Sequence, residues 1–108
     1  MLNHTDAAML FKTLSDETRL RIVDMLSCDE RCACDLLEAF SITQPTLSYH
    51  MKNLTDSGLV NGRRDGAWMR YTVNMELMTQ LKVFLEQIST VCEEDDHDRQ
   101  NCSCSKQG

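Results

Sequence analysis

The apolar positions of the chain fall into five stripes at helical spacing and one stretch of alternation. Ala7, Leu10, Phe11 and Leu14 recur every three or four residues and predict a first amphipathic helix. "LSDETR" breaks and restarts it, with Ser15 or Asp16 as the N-cap. The second helix carries Leu20, Val23 and Leu26, with Ile22 and Met25 beside them, to about Ser27 or Cys28. A loop, "DER", leads into "CACDLLEAF", a third and shorter helix with Leu36, Leu37 and Phe40 facing inward. "SIT" then connects to a helix capped by Thr43, whose first turn tolerates Pro45 because no donor is needed there. Leu47, Met51 and Leu54 mark its inward face and Gly58 ends it. Two helices joined so tightly make a helix-turn-helix.

After Gly58 the period changes. "LVNGRR" and "WMRYTV" around "DG" predict a β-hairpin, which in this position forms a wing. Asn74 caps a last helix with the stripe Leu77, Leu81, Phe84, Ile88 and Val91, broadened by Met78, Leu85 and Cys92. The expected fold is mainly α with a β-hairpin wing: a winged helix-turn-helix of about five helices and two strands. It occupies residues 1–92, and an acidic, cysteine-containing tail, 93–108, is expected to be disordered without a ligand.

Length changes this picture little: 108 residues make one domain, small enough that a dimer would help it. No run approaches the ~20 apolar residues of a membrane span. The first residues lack the basic and apolar regions of a signal peptide, so a cytoplasmic location is expected and the N-x-[ST] matches at Asn3, Asn53 and Asn101 are chance. The net charge of −6 argues against a nucleic-acid partner until its distribution is considered. Beyond Glu93 five acids, that residue included, face two bases, whereas Lys52, Arg63, Arg64 and Arg70 outnumber the two acids between Ser41 and Val73. A helix-turn-helix places its second helix in the major groove of double-stranded DNA. The face opposite Leu47 offers Gln44, Thr46, Ser48, Tyr49, His50 and Lys52 for bases and phosphates, and the wing adds Arg63, Arg64 and Arg70. Tyr71 is placed at the wing base rather than on DNA.

The cysteines bring in a second chemistry. Cys28, Cys32 and Cys34 lie within seven positions, and Cys102 and Cys104 form a C-S-C pair in the polar tail. In a reducing compartment such pairs remain thiols, soft donors that prefer As(III), Sb(III), Cd(II), Pb(II), Zn(II) or Cu(I) to hard cations. Cys32 and Cys34 open a helix, where the dipole favours thiolate. Being two apart, they can both turn toward the preceding loop only if the helix start is distorted. Three thiolates with no nearby histidine suit a trigonal As(III) or Sb(III) centre, whereas zinc wants a fourth ligand. Cys102 and Cys104 are a second thiol site or the source of a missing ligand, and Cys92 continues the apolar stripe. No organic cofactor is implied. An arsenate reductase or thiol redox enzyme would need a C-x5-R loop, which is absent, so the chain is not expected to be an enzyme. A constitutive DNA-binding protein with structural zinc is a further alternative.

"LSDETRLRIVDMLS", "ERCACDLLEAF", "TQPTLSYHMKNLTDSGLV" and "RRDGAWMRYTVN" together resemble the ArsR/SmtB winged-helix repressors over roughly residues 8–92. The E-x-C-x-C-D-L element is that of members sensing arsenic, antimony or related soft metals. The resemblance implies a repressor that leaves its inverted-repeat operator when As(III) or Sb(III) binds, with Cys32 and Cys34 as inducer ligands. It makes residues 44–57 the recognition helix and the first and last helices a homodimer interface, including Leu10, Leu77, Leu81, Phe84 and Ile88. The chain departs from the pattern at Leu37, where some arsenic-sensing relatives carry a third cysteine, which leaves the third ligand open between Cys28 and the tail. The N-terminus lacks the cysteines of cadmium and lead sensors, and "MELMTQLKVFLEQIST" lacks the Asp and His ligands of zinc sensors. A soft-metal sensor of the same fold (Cd, Pb or Zn) is the alternative.

Overall fold

A computed structural model describes residues 1–90. Val91, Cys92 and the tail with Cys102 and Cys104 lie outside the described residues. The chain runs α1 (His4–Thr13), α2 (Glu17–Cys28), β1 (Arg31–Cys32), α3 (Ala33–Phe40), α4 (Gln44–Ser57), β2 (Val60–Asp65), β3 (Trp68–Val73) and α5 (Met75–Ile88).

Side-chain caps set most helix starts. Asp16 accepts from the Arg19 N–H, Thr43 from Thr46 and Asn74 from Leu77, each satisfying an amide that the first turn leaves unpaired. The backbone N–H of Arg19 holds the Asp16 carboxyl below the usual carboxylate range. Gly58 closes α4 at φ 89°, and its carbonyl accepts from the Asn74 side chain at 2.9 Å. That bond ties the end of α4 to the start of α5.

The hairpin turns on two residues, Gly66 and Ala67, between the paired Asp65 and Trp68. Gly66 has φ 66°, the left-handed value required at the first position of such a turn. The sheet has three strands rather than the expected two, in the order β1-β3-β2. Part of the supposed loop, with Cys32, forms β1 against the open edge of β3, pairing Arg31 with Tyr71 and Cys32 with Arg70. Two residues carry no readable alternation, so tertiary pairing alone creates this strand.

The core joins Leu10, Ile22, Val23, Leu26, Leu36, Leu47, Met51, Leu54, Leu59, Val60, Tyr71, Val73 and Leu81. The stripe of α2 is therefore rotated from the expected one. Ile22 is fully buried and Leu20 is 51% exposed, because α2 packs on α4 and β3 through its 22, 23 and 26 positions. Of the residues expected at a dimer interface, Leu10 and Leu81 are buried in the chain's own core. Phe84 is buried against His4 and Phe11, Leu77 is half-buried, and Ile88 is exposed. Among the described residues no helix is long and apolar enough to cross a membrane.

The Gly58 turn has a measurable consequence. An alanine there adopts a strained left-handed conformation and brings its Cβ to 3.4 Å from Leu77 Cδ2. Gly58→Ala should cost about 1–2 kcal/mol. Urea unfolding should show a lower midpoint at unchanged slope; an unaltered midpoint would contradict this account of the cap.

Candidate nucleic-acid interface and thiol site

On α4, Gln44, Thr46, Ser48, Tyr49 and Lys52 all project to solvent. His50 does not. It is 9% exposed and turned toward α2, with Nδ1 3.2 Å from Arg19 Nη1 and 3.8 Å from Asp16 Oδ2. The expectation that it joins the DNA-facing set is corrected. Positions 47, 50, 51 and 54 form one i, i+3, i+4, i+7 stripe, so the signal was present in the spacing. A polar side chain concealed it.

The wing arginines divide by the two-residue period of a strand. Arg64 pairs with Met69 in the ladder and lies on the Tyr71 face. There it lines a cleft of about 300 Å³ with Gln44, Ser48, Leu37, Trp68 and Tyr71, between the exposed face of α4 and the wing. Arg63 and Arg70 pair with each other across the hairpin, on the opposite face. Each is engaged there: Arg63 with Glu30 at 3.0 Å and Arg70 with Asp65 at 2.7 Å. The hydrogen bond from Arg70 lowers the pKa of Asp65, and Asp65 raises that of Arg70. Lys52 is bound to Asp56 at 3.1 Å. Arg64 alone of these four cations makes no ion pair among the described residues.

Tyr71 packs at the wing base as expected, and burial pushes its hydroxyl pKa up. Trp68, 44% exposed beside the turn, was missed as an interface candidate. A large aromatic residue next to a hairpin turn was the available signal.

The thiol site forms where β1 becomes α3. Cys32 is extended (φ −87°, ψ 160°) and acts as the N-cap of α3. Its Sγ accepts from the Cys34 N–H at 3.2 Å, and its own N–H donates to Asp35 Oδ2 at 3.1 Å. Cys32 thus stands outside the helix, and no distortion of α3 is needed for the two sulfurs to converge. With Cα atoms 5.3 Å apart, Cys32 and Cys34 are joined as a disulfide, where free thiols were expected. The reduced pair is the form able to bind a soft ion. Donor atoms of Cys32, Cys34 and Asp35 lie within 4.8 Å of one another. Cys28, at the end of α2, is free and exposed and does not belong to this cluster. In the sheet Cys32 lies opposite Arg70, which lies opposite Arg63. The site and two wing cations therefore occupy one row across three strands.

Residues 16–62 match the family model described as bacterial regulatory protein, arsR family. The chain is 42% identical over 103 residues to the arsenical resistance operon repressor of Staphylococcus xylosus, covering 95% of this chain and 92% of the relative. Among solved structures it is similar to HlyU from Vibrio cholerae N16961, with TM-score 0.66, 29% identity, and coverage of 79% and 92% of the two chains. An ArsR-like transcriptional regulator from Rhodococcus sp. RHA1 shares the fold at TM-score 0.72 and 24% identity, with 95% and 92% covered.

The pairing pattern predicts unequal roles for the wing cations on DNA. Arg64→Gln should weaken DNA binding and reduce the slope of log affinity against log salt by about 1. Arg63→Gln should have the smaller effect, because Arg63 must first leave Glu30 to reach a phosphate. Salt titrations by fluorescence anisotropy compare them, and equal slopes for the two variants would refute the distinction.

Proposed function

The chain belongs to the arsR family of bacterial regulatory proteins, and on that premise we propose that it is a homodimeric repressor released from an inverted-repeat operator by As(III) or Sb(III). Cys32, Cys34 and one further ligand hold the inducer. The reading is carried by the position of the soft-donor pair, which lies at once in the first helix of the helix-turn-helix and in the sheet of the wing.

The donor chemistry fits. Two thiolates at one helix start provide soft ligands, and a three-coordinate metalloid needs only one more. Cys28 is four residues before Cys32, and its exposure leaves it free to turn toward the pair; Cys102 and Cys104 are the other sources. Asp35 is a hard donor already bound to the Cys32 N–H. Relatives named for arsenical resistance, 42% identical over 95% of the chain, support arsenic as the inducer.

An inducer changes DNA affinity only by binding the free and operator-bound conformations unequally. Capture of both sulfurs competes with the Cys32 cap and shifts β1, which borders β3 of the wing. It also shifts the start of α3, which leads through Ser41, Ile42 and Thr43 into α4. Both DNA-contacting elements move from one anchor, at a coupling of ~1–3 kcal/mol.

The dimer reading rests on α1 and α5. Phe11, Leu85 and Ile88 stay 36%, 46% and 59% exposed, and contact between Phe11 and Phe84 sets the two helices side by side. A second copy on this face would space two recognition helices about 34–36 Å apart, as an inverted repeat requires.

Cys32→Ser should keep operator binding and lose release by arsenite, assayed with a phosphine reductant so that the pair is thiol. Normal release from this variant would sink the ligand assignment; retained release by Cys28→Ser would move the third ligand to the tail. For assembly, Ile88→Asp is the cleaner probe, since Ile88 contributes little to the chain's own core. It should give a folded monomer by sedimentation and circular dichroism, with loss of operator binding. A dimer of unchanged stability would place the interface elsewhere.

A further inference from the structure

One buried polar contact on α4 is used neither by the thiol site nor by the exposed DNA face. Arg19 sends Nε to the Thr13 carbonyl at 2.7 Å and Nη1 to His50 Nδ1 at 3.2 Å, while its backbone N–H donates to Asp16 Oδ2 at 3.1 Å. One half-buried guanidinium thereby links the end of α1, the first turn of α2 and the middle of α4. We infer that His50 is a positioning residue for operator recognition, an acceptor for Arg19 that fixes the rotation of α4 about its own axis.

The chemistry fixes the form of the imidazole. A guanidinium has donors only and does not lose its proton in proteins, so Nδ1 must accept and the ring hydrogen sits on Nε2. Asp16, 3.8 Å from the same nitrogen, balances the guanidinium charge from α2, and Tyr49 lies edge-on to the ring from α4 itself. The remaining inward contacts of α4 are Leu47, Met51 and Leu54. Apolar burial is non-directional and tolerates small rotations, whereas a hydrogen bond to a forked donor does not. A rotation of α4 would carry Gln44 and Ser48 away from base edges while leaving exposed cations within reach of phosphate. The contact therefore acts on specificity more than on total affinity.

The inference rests on the reading of α4 as the base-reading helix, so the test carries an arm for each. A duplex selected by the wild-type protein from a random pool serves as operator, and a scrambled duplex as control. His50→Leu should fold, lose about tenfold on the operator, the scale of one hydrogen bond to a charged group, and lose little on the scrambled duplex. His50→Asn places an amide oxygen near the former Nδ1 and should recover most of the loss. Nitrogen NMR of the wild type should show the His50 proton on Nε2. Wild-type selectivity in His50→Leu, equal losses in the Leu and Asn variants, or a proton on Nδ1 would each overturn the assignment. Should His50→Leu fail to fold, the Asn variant and the spectrum decide. Gln44→Ala separates the two readings. If it keeps full operator preference, the base-reading role fails and this inference with it; if it loses preference while His50→Leu does not, only the positioning role of His50 fails.

Discussion

Cys32 belongs to two elements at once, and the remaining geometry depends on that constraint. Its extended backbone closes β1 against β3, and the same residue caps α3 through its sulfur while its N–H is held by Asp35. A strand residue that also starts the next helix cannot move without disturbing both. The wing and the helix-turn-helix thus share one anchor. That anchor is a soft donor.

Electrostatics explains how an acidic chain offers a surface to DNA. The Lys52–Asp56, Arg63–Glu30 and Arg70–Asp65 pairs hold three of the four cations read from the sequence. Exposed ion pairs are screened by solvent and contribute little, so exchange of a carboxylate for a phosphate costs little. The pairs keep the free protein from presenting an unbalanced basic patch and leave Arg64, in the cleft between α4 and the wing, without an ion pair among the described residues. Glu30, which pairs with Arg63, lies two residues before Cys32, so under the proposed function it is carried on the segment that moves when the thiols are engaged.

Much of the fold was legible because its signals are local. Asp16, Thr43 and Asn74 are caps whose partners lie three residues away, and Gly58 ends a helix by a backbone preference of its own. What was misread depends on partners distant in sequence. β1 exists through pairing with β3, some forty residues later. Leu20 and Ile22 are both apolar, and only the packing of α2 on α4 and β3 decides which is buried. His50 was assigned by residue type to a polar face, although its spacing placed it inward and Arg19 supplies the partner that makes burial tolerable. The thiol pair was found by composition, but its convergence without helix distortion required knowing that Cys32 precedes the helix.

The capping role of Asp35 bears on selectivity. A site of two thiols and a carboxylate would ordinarily be open to borderline metals such as zinc, which accept oxygen with sulfur. Here one carboxylate oxygen, Oδ2, accepts the Cys32 N–H, which holds the carboxylate in its present orientation and leaves Oδ1 as the oxygen an ion could take. A cation that needs both oxygens must break this bond at the junction of β1 and α3, and one that binds Oδ1 alone must accept the orientation the bond imposes. A three-coordinate metalloid satisfied by sulfur makes no demand on the carboxylate and acts on the junction through the two sulfurs. Under the proposed function, preference for the softer ligand then follows from the constrained carboxylate together with the soft sulfur donors.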